Sequence, residues 1–292
     1  MKRKARPART IAIIGTGLIG ASIGLAARRA SQRTRVIGYD RRTASARVAR
    51  RRGALTSIAP SLERAVAAAD IVVLAVPLRA VIALLPRVLK SARDGSVVID
   101  VAGLKVSVLK AAAPLLMGRS RVGFAGGHPF AGLERCGPES ASDHLFRRMP
   151  FALCVPRQPS RAAVLRQAQS FVRSLGSVPV PMSAREHDRV VAATSGLPQL
   201  VASATALAVA DLHRLRTQLT GPGFESVTRL ARSPAALWTG SLLENRRNVV
   251  PALSAFETRL RNFRQAIERY NAVDLARLLR SAAAAQRRLK SR

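Results

Sequence analysis

The stretch TIAIIGTGLIG, residues 10–20, joins a short apolar run to a glycine-rich turn. The run TIAIIG is typical of a buried β-strand, and the small residues from about Leu18 to Ala30 indicate a helix directly after the turn. Glycines in the spacing G-x-G-x-x-G allow a tight turn, close approach of a pyrophosphate and close contact between helix and strand. The helix N-terminus adds amide donors and the positive end of its dipole. The stretch predicts a dinucleotide-binding βαβ unit; the alternative is a glycine-rich turn in an unrelated α/β core.

An acidic residue at the end of the second predicted strand, RVIGYD, supports dinucleotide binding. Asp40 lies twenty residues after Gly20, where a carboxylate can accept hydrogen bonds from both ribose hydroxyls and repel a 2′-phosphate. This favours NAD, although Arg41 and Arg42 could hold a 2′-phosphate, so NADP remains possible. The sequence AVP at 75–77 ends the third predicted strand and should pass near the cofactor. The predicted cofactor-binding residues are Gly15, Thr16, Gly17, Leu18, Ile19, Gly20, Asp40, Arg41, Val76 and Pro77.

Strands and helices alternate as far as Met182. Further strands are predicted at IVVLAVP, VVIDVAG, VGFAGGHP, FALCVP and SVPVPM, and helices at about 43–52, 79–90 and 162–175. This alternation indicates βαβ units and a parallel sheet, and the continuous Val/Ile/Leu runs indicate strands buried on both faces. We expect an α/β, Rossmann-like N-terminal domain over residues 1–182.

Only helical signals follow residue 182. Ser183 and Glu186 fit a capping box at the start of a long apolar helix, in which Pro198 predicts a kink. Further helices are predicted at about 235–244, 249–270 and 274–290, after a break at GPGF, residues 221–224. We expect an all-α domain over residues 183–292 that buries an apolar face in a homodimer.

Composition limits the possible partners and compartment. The two cysteines, Cys136 and Cys154, provide neither a disulfide framework nor a metal-binding spacing, so we expect no metal and a cytoplasmic location. The net charge of +33 comes mostly from arginines scattered along the chain, and aromatic residues make up only 4%. No specific nucleic-acid site is expected from that pattern. The basic start and the uncharged run 11–27 resemble a signal peptide or membrane span, but its patterned glycines argue against both.

His128 lies in GGHPFAG, residues 126–132, at the end of a predicted strand. Ligands of α/β sheets bind outside the carboxyl ends of the strands, and glycines beside the histidine let other groups approach closely. The ordinary pKa of an imidazole suits proton transfer near neutral pH. From these residues alone, a catalytic role and a structural hydrogen bond are both open.

Five segments in order carry a family resemblance: GTGLIG, then IDVAGLK (99–105), GGHPFAGLERCG (126–137), HDRVVAATSGLPQLVA (187–202) and GPGFESVTRLARSPAALWTGSLLENRRNV (221–249). Together they resemble the prephenate/arogenate dehydrogenase family of tyrosine biosynthesis, from about Thr10 to Asn248. The resemblance implies a dinucleotide-binding domain followed by a helical dimerisation domain. It implies NAD(P)-dependent oxidative decarboxylation of prephenate to 4-hydroxyphenylpyruvate, or of arogenate to tyrosine.

The resemblance also implies roles for individual residues. His128 matches the histidine that hydrogen-bonds the substrate hydroxyl while hydride leaves, and Arg229 matches an arginine that holds a carboxylate. Glu134 and His187 match positions in an ionic network with that arginine; a local hydrogen bond is the other interpretation of His187. Trp238 matches a tryptophan near the site or packs in the core.

Several family positions differ in this chain. Gly103 stands where the family usually has a serine that assists the histidine, and Gly196 and Gln199 replace two histidines beside Ser195. Leu133 and Ser226 replace a threonine and an aspartate. We expect Gly103 and Gly196 to enlarge the pocket or leave room for water. Gln199 could contact the side chain that distinguishes prephenate from arogenate, and the lack of an acid there favours prephenate.

Two alternatives remain. A related dehydrogenase of another ring or of a small hydroxy acid would usually need a lysine in the helical domain, yet residues 183–289 contain none. A non-catalytic dinucleotide-binding protein would fit the losses at Gly103 and Gly196.

Overall fold

A computed structural model describes residues 9–117, 121–132, 136–158, 160–210 and 220–290. Its central feature is one eight-stranded sheet in the order β3-β2-β1-β4-β5-β6-β7-β8. The strands are β1 (Thr10–Ile14), β2 (Arg35–Tyr39), β3 (Ser57–Ile58), β4 (Ile71–Leu74), β5 (Val97–Asp100), β6 (Gly123–Pro129), β7 (Pro150–Cys154) and β8 (Val178–Pro181). The strand order reverses between β1 and β4, where α/β folds bind their ligands.

The sheet is mixed, whereas the sequence predicts a parallel sheet. All neighbouring strands run parallel except β6 and β7, which pair antiparallel with His128 opposite Ala152. The only regular element described between these two strands is a three-residue 3₁₀ turn, Pro138–Ser140. A parallel pair needs a crossover of a dozen or more residues, usually a helix, whereas an antiparallel neighbour can be reached by a loop.

Helices cover both faces of the sheet. They are α1 (Leu18–Ala30), α2 (Thr43–Arg51), α3 (Leu62–Ala67), α4 (Leu78–Ser91), α5 (Val106–Leu116) and α6 (Arg161–Ser174). Alternate residues of β1 enter different cores, with Ile13 in one and Ile14 in the other. This two-sided burial confirms the interpretation of the continuous apolar runs. The short β3 and α3 are not predicted from the sequence, and neither is α5, which contains Pro114.

All regular elements described after β8 are helical. They are α7 (Ala184–Val191), α8 (Leu197–Ala210), α9 (Pro222–Thr228), α10 (Ala235–Glu244), α11 (Arg246–Glu268) and α12 (Ala272–Lys290). Ser183 caps α7, because its hydroxyl accepts a hydrogen bond from the backbone N–H of Glu186 at 3.2 Å. The chain thus passes from sheet to helices between Pro181 and Ala184, where the sequence predicts a boundary.

A π-helical segment, Ala192–Gly196, joins α7 to α8. It lies directly before Pro198, where the sequence predicts a kink. Proline has no backbone N–H to donate, and π-bulges are one way in which a helix accommodates such a break. The helical run Ala184–Ala210 is long and apolar enough to span a membrane, with a mean hydropathy of 1.4, and 28% of that window is buried.

Candidate active site

The glycine loop between β1 and α1 has the geometry of a phosphate-binding turn. Gly15 has a φ of +93°, and a Cβ there would lie 2.4 Å from the backbone oxygen of Ala75. A Cβ on Gly20 would lie 2.0 Å from the oxygen of Gly15, so these two positions accept only glycine. Gly17 caps α1 and has open space in its Cβ direction. The loop therefore leaves a gap at the helix N-terminus, which fits a dinucleotide pyrophosphate.

Asp40 ties this loop to the end of β2. Its Oδ2 accepts the backbone N–H of Thr16 at 2.8 Å and the Thr16 hydroxyl at 3.1 Å. Its Oδ1 accepts the backbone N–H of Arg42 at 2.8 Å. The carboxylate is half-buried and Arg41 is exposed, so both lie where the adenosine ribose of a dinucleotide would reach them.

The third predicted cofactor segment also approaches the loop. Val76 is half-buried, and its Cγ1 would lie 2.7 Å from a Cβ on Gly15. Pro77 is exposed and caps α4. The structure therefore places the end of β4 beside the glycine loop, as the sequence predicts.

A cavity of about 570 Å³ runs from the glycine loop to the helical half of the chain. One end is lined by Gly17, Leu18 and Ile19, and the loop after β5 and strand β6 contribute Gly103 and His128. The helical side is lined by residues that include Ser195, Gly196, Trp238, Ser241 and Asn245. One cavity thus joins the predicted cofactor site to the predicted catalytic histidine.

His128 is half-buried near the end of β6, in the wall of this cavity. Its Nδ1 lies 2.9 Å from Nε2 of His187, and its ring packs on Phe130 with centroids 4.8 Å apart. Burial, and then the charges of His187 and Lys105, hold the pKa of His128 well below its usual value of 6.5. The imidazole is therefore neutral at neutral pH and can accept a proton.

The free side of the imidazole faces Gly103. A Cβ on this glycine would lie 4.0 Å from Nε2 of His128 and would meet no other atom within 4 Å. The expected open space is therefore present here. At Gly196 a Cβ would already meet Leu242 at 3.4 Å and Val249 at 3.6 Å, so neighbouring side chains fill much of that space.

A fully buried lysine supports the strand that carries His128. The ammonium of Lys105 donates to the carboxylate of Asp100 and, at 2.7 Å, to the backbone oxygen of Gly127. Burial raises the pKa of Asp100, and the adjacent ammonium opposes this rise. A buried charge pair of this kind is retained only with good geometry and further hydrogen bonds.

Asp188 joins the helical half of the chain to the sheet. Its two carboxylate oxygens accept the backbone N–H groups of Lys105 at 2.8 Å and Val106 at 2.9 Å. Its Oδ1 also lies 2.7 Å from Nδ1 of His187. The side-chain amide of Asn245 donates to the Asp188 backbone oxygen at 2.8 Å. Lys105, Asp188 and Asn245 stand in the motifs quoted above, but their local sequence predicts no role for them.

His187 has two side-chain partners among the described residues. Its Nε2 lies 2.9 Å from Nδ1 of His128, and its Nδ1 lies 2.7 Å from Oδ1 of Asp188, which is the local hydrogen bond given above as the other interpretation of this residue. The ring is completely buried, because α7 packs against α5 and β7. Glu134, together with Leu133, lies outside the described residues.

The other predicted substrate residues fall into two groups. Ser195 and Gly103 line the cavity, as does Trp238, whose Nε1 is buried without a hydrogen-bond partner in the described part of the chain. Gln199 is buried on α8 and Arg229 is exposed in the 3₁₀ turn Arg229–Arg232, and neither is among the described residues that line the cavity. Within the described ranges, no group of three or more His, Cys, Asp or Glu side chains is placed to hold a metal ion.

The phosphate-binding turn and the neutral histidine in one cavity define a dinucleotide-dependent dehydrogenase with a helical second half. Two family models identify it further. The nucleotide-binding domain of prephenate dehydrogenase matches residues 23–180, and the dimerization domain of prephenate dehydrogenase matches residues 183–281. The chain belongs to the prephenate dehydrogenase family.

Individual relatives agree with this assignment. The cyclohexadienyl dehydrogenase of Zymomonas mobilis is 31% identical over 261 residues, which are 88% of each chain. The prephenate dehydrogenase of Lactococcus lactis is 30% identical over 254 residues, 86% of this chain and 69% of the relative. The structure of prephenate dehydrogenase from A. aeolicus in complex with hydroxyphenyl propionate and NAD+ superimposes with a TM-score of 0.86 at 26% identity, covering 98% of this chain and 100% of the other. Synechocystis arogenate dehydrogenase gives a TM-score of 0.82 at 26% identity, covering 96% and 99%.

Proposed function

We propose that this protein catalyses the oxidative decarboxylation of prephenate to 4-hydroxyphenylpyruvate, or of arogenate to tyrosine. The observation that carries the proposal is the single cavity in which a neutral histidine and the glycine loop lie together. When bound, NAD+ supplies the acceptor for the hydride that leaves the ring carbon bearing the hydroxyl. The relatives named above act on such cyclohexadienyl rings according to their names, which supports the same substrate class here.

His128 is the residue that we propose as the proton acceptor. Its Nε2 faces the open space beside Gly103, where a ring hydroxyl can donate to it. Holding the hydroxyl proton lets a carbonyl form at the carbon that loses hydride. Loss of carbon dioxide then makes the ring aromatic, and the proton can return to the phenolic oxygen. Because aromatisation drives the reaction, the protein mainly has to orient the ring and hold one proton.

The carboxylates of the substrate need donors that the cavity wall supplies only in part. Ser195 and Trp238 Nε1 are the uncharged donors that we propose on the helical side. Arg229 remains our candidate for a carboxylate, because its 3₁₀ turn packs on α8, which also carries Gln199. Glu134 is a further candidate on the strength of its motif alone. We propose prephenate as the preferred substrate, since the described residues that line the cavity include no carboxylate to pair with an amino group.

The cofactor site favours NAD over NADP. Asp40 lies at the end of β2 with its carboxylate held in place by Thr16 and Arg42. An acid at this position accepts from ribose hydroxyls and repels a 2′-phosphate. The exposed Arg41 leaves NADP as the second cofactor to test.

We infer that the helical residues 183–292 form one domain that pairs with a second copy of this chain. The match to a dimerization domain supports this inference. The apolar run Ala184–Ala210 is then an interface and core helix, since its His187 and Asp188 are buried against the sheet domain. A membrane span could not make those contacts. A cytoplasmic dimer without specific nucleic-acid binding is the assembly that we propose, and residue 182 is the proposed boundary between its domains.

The deciding experiment mixes the purified protein with NAD+ and either prephenate or arogenate. Formation of reduced nicotinamide together with 4-hydroxyphenylpyruvate or tyrosine is expected, faster with prephenate. The same assays with NADP+ serve as the cofactor comparison. Absence of turnover with both substrates, in protein that binds NAD+, would contradict the proposed reaction and favour the non-catalytic alternative.

A further inference from the structure

The cavity histidine stands at the end of a line of three hydrogen-bonded side chains, here called the triad: His128, His187 and Asp188. Nδ1 of His128 lies 2.9 Å from Nε2 of His187, and Nδ1 of His187 lies 2.7 Å from Oδ1 of Asp188. His187 is completely buried and Asp188 is only 4% exposed. The helical half of the chain thus places two polar side chains behind the histidine, on the side away from the cavity.

The proton positions in the triad follow from Asp188. Its carboxylate already accepts the backbone N–H groups of Lys105 and Val106, so its orientation is set by the backbone at the start of α5. A carboxylate oxygen at 2.7 Å requires that Nδ1 of His187 carries a proton. With His187 as a neutral imidazole, its Nε2 accepts and Nδ1 of His128 donates.

We propose that His187 and Asp188 are positioning residues that hold His128 in the tautomer with the proton on Nδ1. This tautomer leaves the lone pair of Nε2 directed at the open space beside Gly103. In water neutral histidine also adopts the opposite tautomer, which would present an N–H where the reaction needs an acceptor. The inference rests on the proposed function of His128 as a proton acceptor, but the tautomer itself is a property of the protein alone.

The triad keeps its hydrogen bonds when His128 takes a proton during turnover. When Nε2 of His128 takes a proton, its Nδ1–H still donates to His187, which in turn donates to the carboxylate of Asp188. Lys105, whose ammonium contacts Asp100, lies close by and, like burial, disfavours the protonated form of His128. A line of this type, in which a buried acid orients a histidine, is how hydrolytic triads set the tautomer of their base.

The first test reads the tautomer without substrate. The chain has only four histidines, so ¹⁵N-histidine labelling and a two-bond ¹H–¹⁵N correlation spectrum can assign every ring. At neutral pH, Nδ1 of His128 is expected at a protonated shift and Nε2 at an unprotonated one. A proton on Nε2 of His128, or an even mixture of tautomers, would overturn the proposal. This outcome would leave the activity assays with prephenate and arogenate as a separate question.

The second test compares variants of His187. His187→Phe removes the acceptor and should convert His128 to the Nε2–H tautomer, with kcat lower by about tenfold or more and KM nearly unchanged. His187→Gln keeps an oxygen acceptor and should retain more of the Nδ1–H form and more of the rate. His144→Asn is the matched control, because His144 is an exposed imidazole bonded to Arg29 and lies outside the cavity lining. Equal spectra of His128 and equal kcat in wild type and His187→Phe would overturn the positioning role.

Discussion

One carboxylate oxygen of Asp40 accepts hydrogen bonds from both the backbone N–H and the hydroxyl of Thr16, at 2.8 and 3.1 Å. The acid that is expected to select the ribose therefore also anchors the glycine loop to β2. Cofactor preference and loop geometry are coupled at this position, so a change at Asp40 acts on both. The ratio of the NADP+ and NAD+ dissociation constants separates ribose selection from loop geometry, because a looser loop weakens the binding of both cofactors equally.

Asp40→Ser should weaken NAD+ more than NADP+. The variant loses the acceptor for the ribose hydroxyls and the repulsion of a 2′-phosphate, and a hydrogen bond to a charged group is worth about 1.5–3 kcal/mol. We expect the ratio of the NADP+ and NAD+ dissociation constants to fall by about tenfold, measured by titration calorimetry. Thr16→Val is the control, since it loosens the loop but keeps the acid, and should leave the ratio unchanged. Equal weakening of both cofactors by Asp40→Ser would contradict the ribose assignment.

Gly17 and Gly20 should respond to alanine in different ways. Gly17→Ala adds a methyl group to open space at the start of α1, so the protein should fold normally and bind NAD+ at least tenfold more weakly, because the methyl group occupies the pyrophosphate position. Gly20→Ala forces a Cβ to within 2.0 Å of the Gly15 oxygen and should lower the melting temperature. Thermal unfolding and NAD+ titration measure the two effects. Normal NAD+ affinity in Gly17→Ala would show that the pyrophosphate lies elsewhere.

His128→Asn should nearly abolish turnover. The variant removes the proton acceptor from the cavity, and general base catalysis typically contributes about 10²–10⁴ in rate. Affinity for NAD+ should change by less than about twofold, because the glycine loop is untouched. Steady-state kinetics and NAD+ titration give both values, and circular dichroism checks the fold. Turnover close to that of wild type would remove His128 from its proposed role.

The acid limb of activity should lie below pH 6.5. The pKa of His128 is lowered by burial and by the charges of His187 and Lys105, so the neutral, active form persists to a lower pH than in a free imidazole. Activity should be constant above pH 6.5 and fall as the pH drops through the lowered pKa, measured as kcat/KM. Because the pKa of His128 is lower in the folded state than in the unfolded state, the unfolded state takes up the proton first. The free energy of unfolding therefore decreases as the pH falls below 6.5. A midpoint above 6.5 in the activity profile would contradict the burial argument.

Gly103→Ser should raise kcat. The new Cβ would lie 4.0 Å from Nε2 of His128 and meet no other atom within 4 Å, so a hydroxyl can reach both the imidazole and the substrate hydroxyl. A single hydrogen bond of this kind contributes about tenfold or more in rate. Gly103→Ala is the matched control, because it adds the same Cβ without a hydroxyl. Similar kcat values in the two variants would mean that water already supplies this hydrogen bond in the wild type.

Local patterns along the chain determined most of the fold and half of the site. The glycine spacing at 15–20, the acid at the end of β2 and the uninterrupted apolar strands predict the dinucleotide-binding sheet, because each depends only on neighbouring residues and a repeating period. His128 was identified from its motif and its unusual surroundings. The antiparallel β7 escaped prediction because strand direction depends on a connection that carries no periodic signal.

Tertiary structure decided which polar groups act together. Lys105, Asp188 and Asn245 lie far from His128 in sequence, and only the packing of α7 on β7 and α5, and of α11 on α7, brings them behind it. The same packing brings His187 within hydrogen-bond distance of His128. The lowered pKa of His128 likewise follows from burial, which no local pattern expresses. The sequence therefore determined which residues are available for chemistry. The packing of helices on the sheet determined the charge of His128 and the tautomer in which we propose that it works, because charge and tautomer depend on contacts between distant segments.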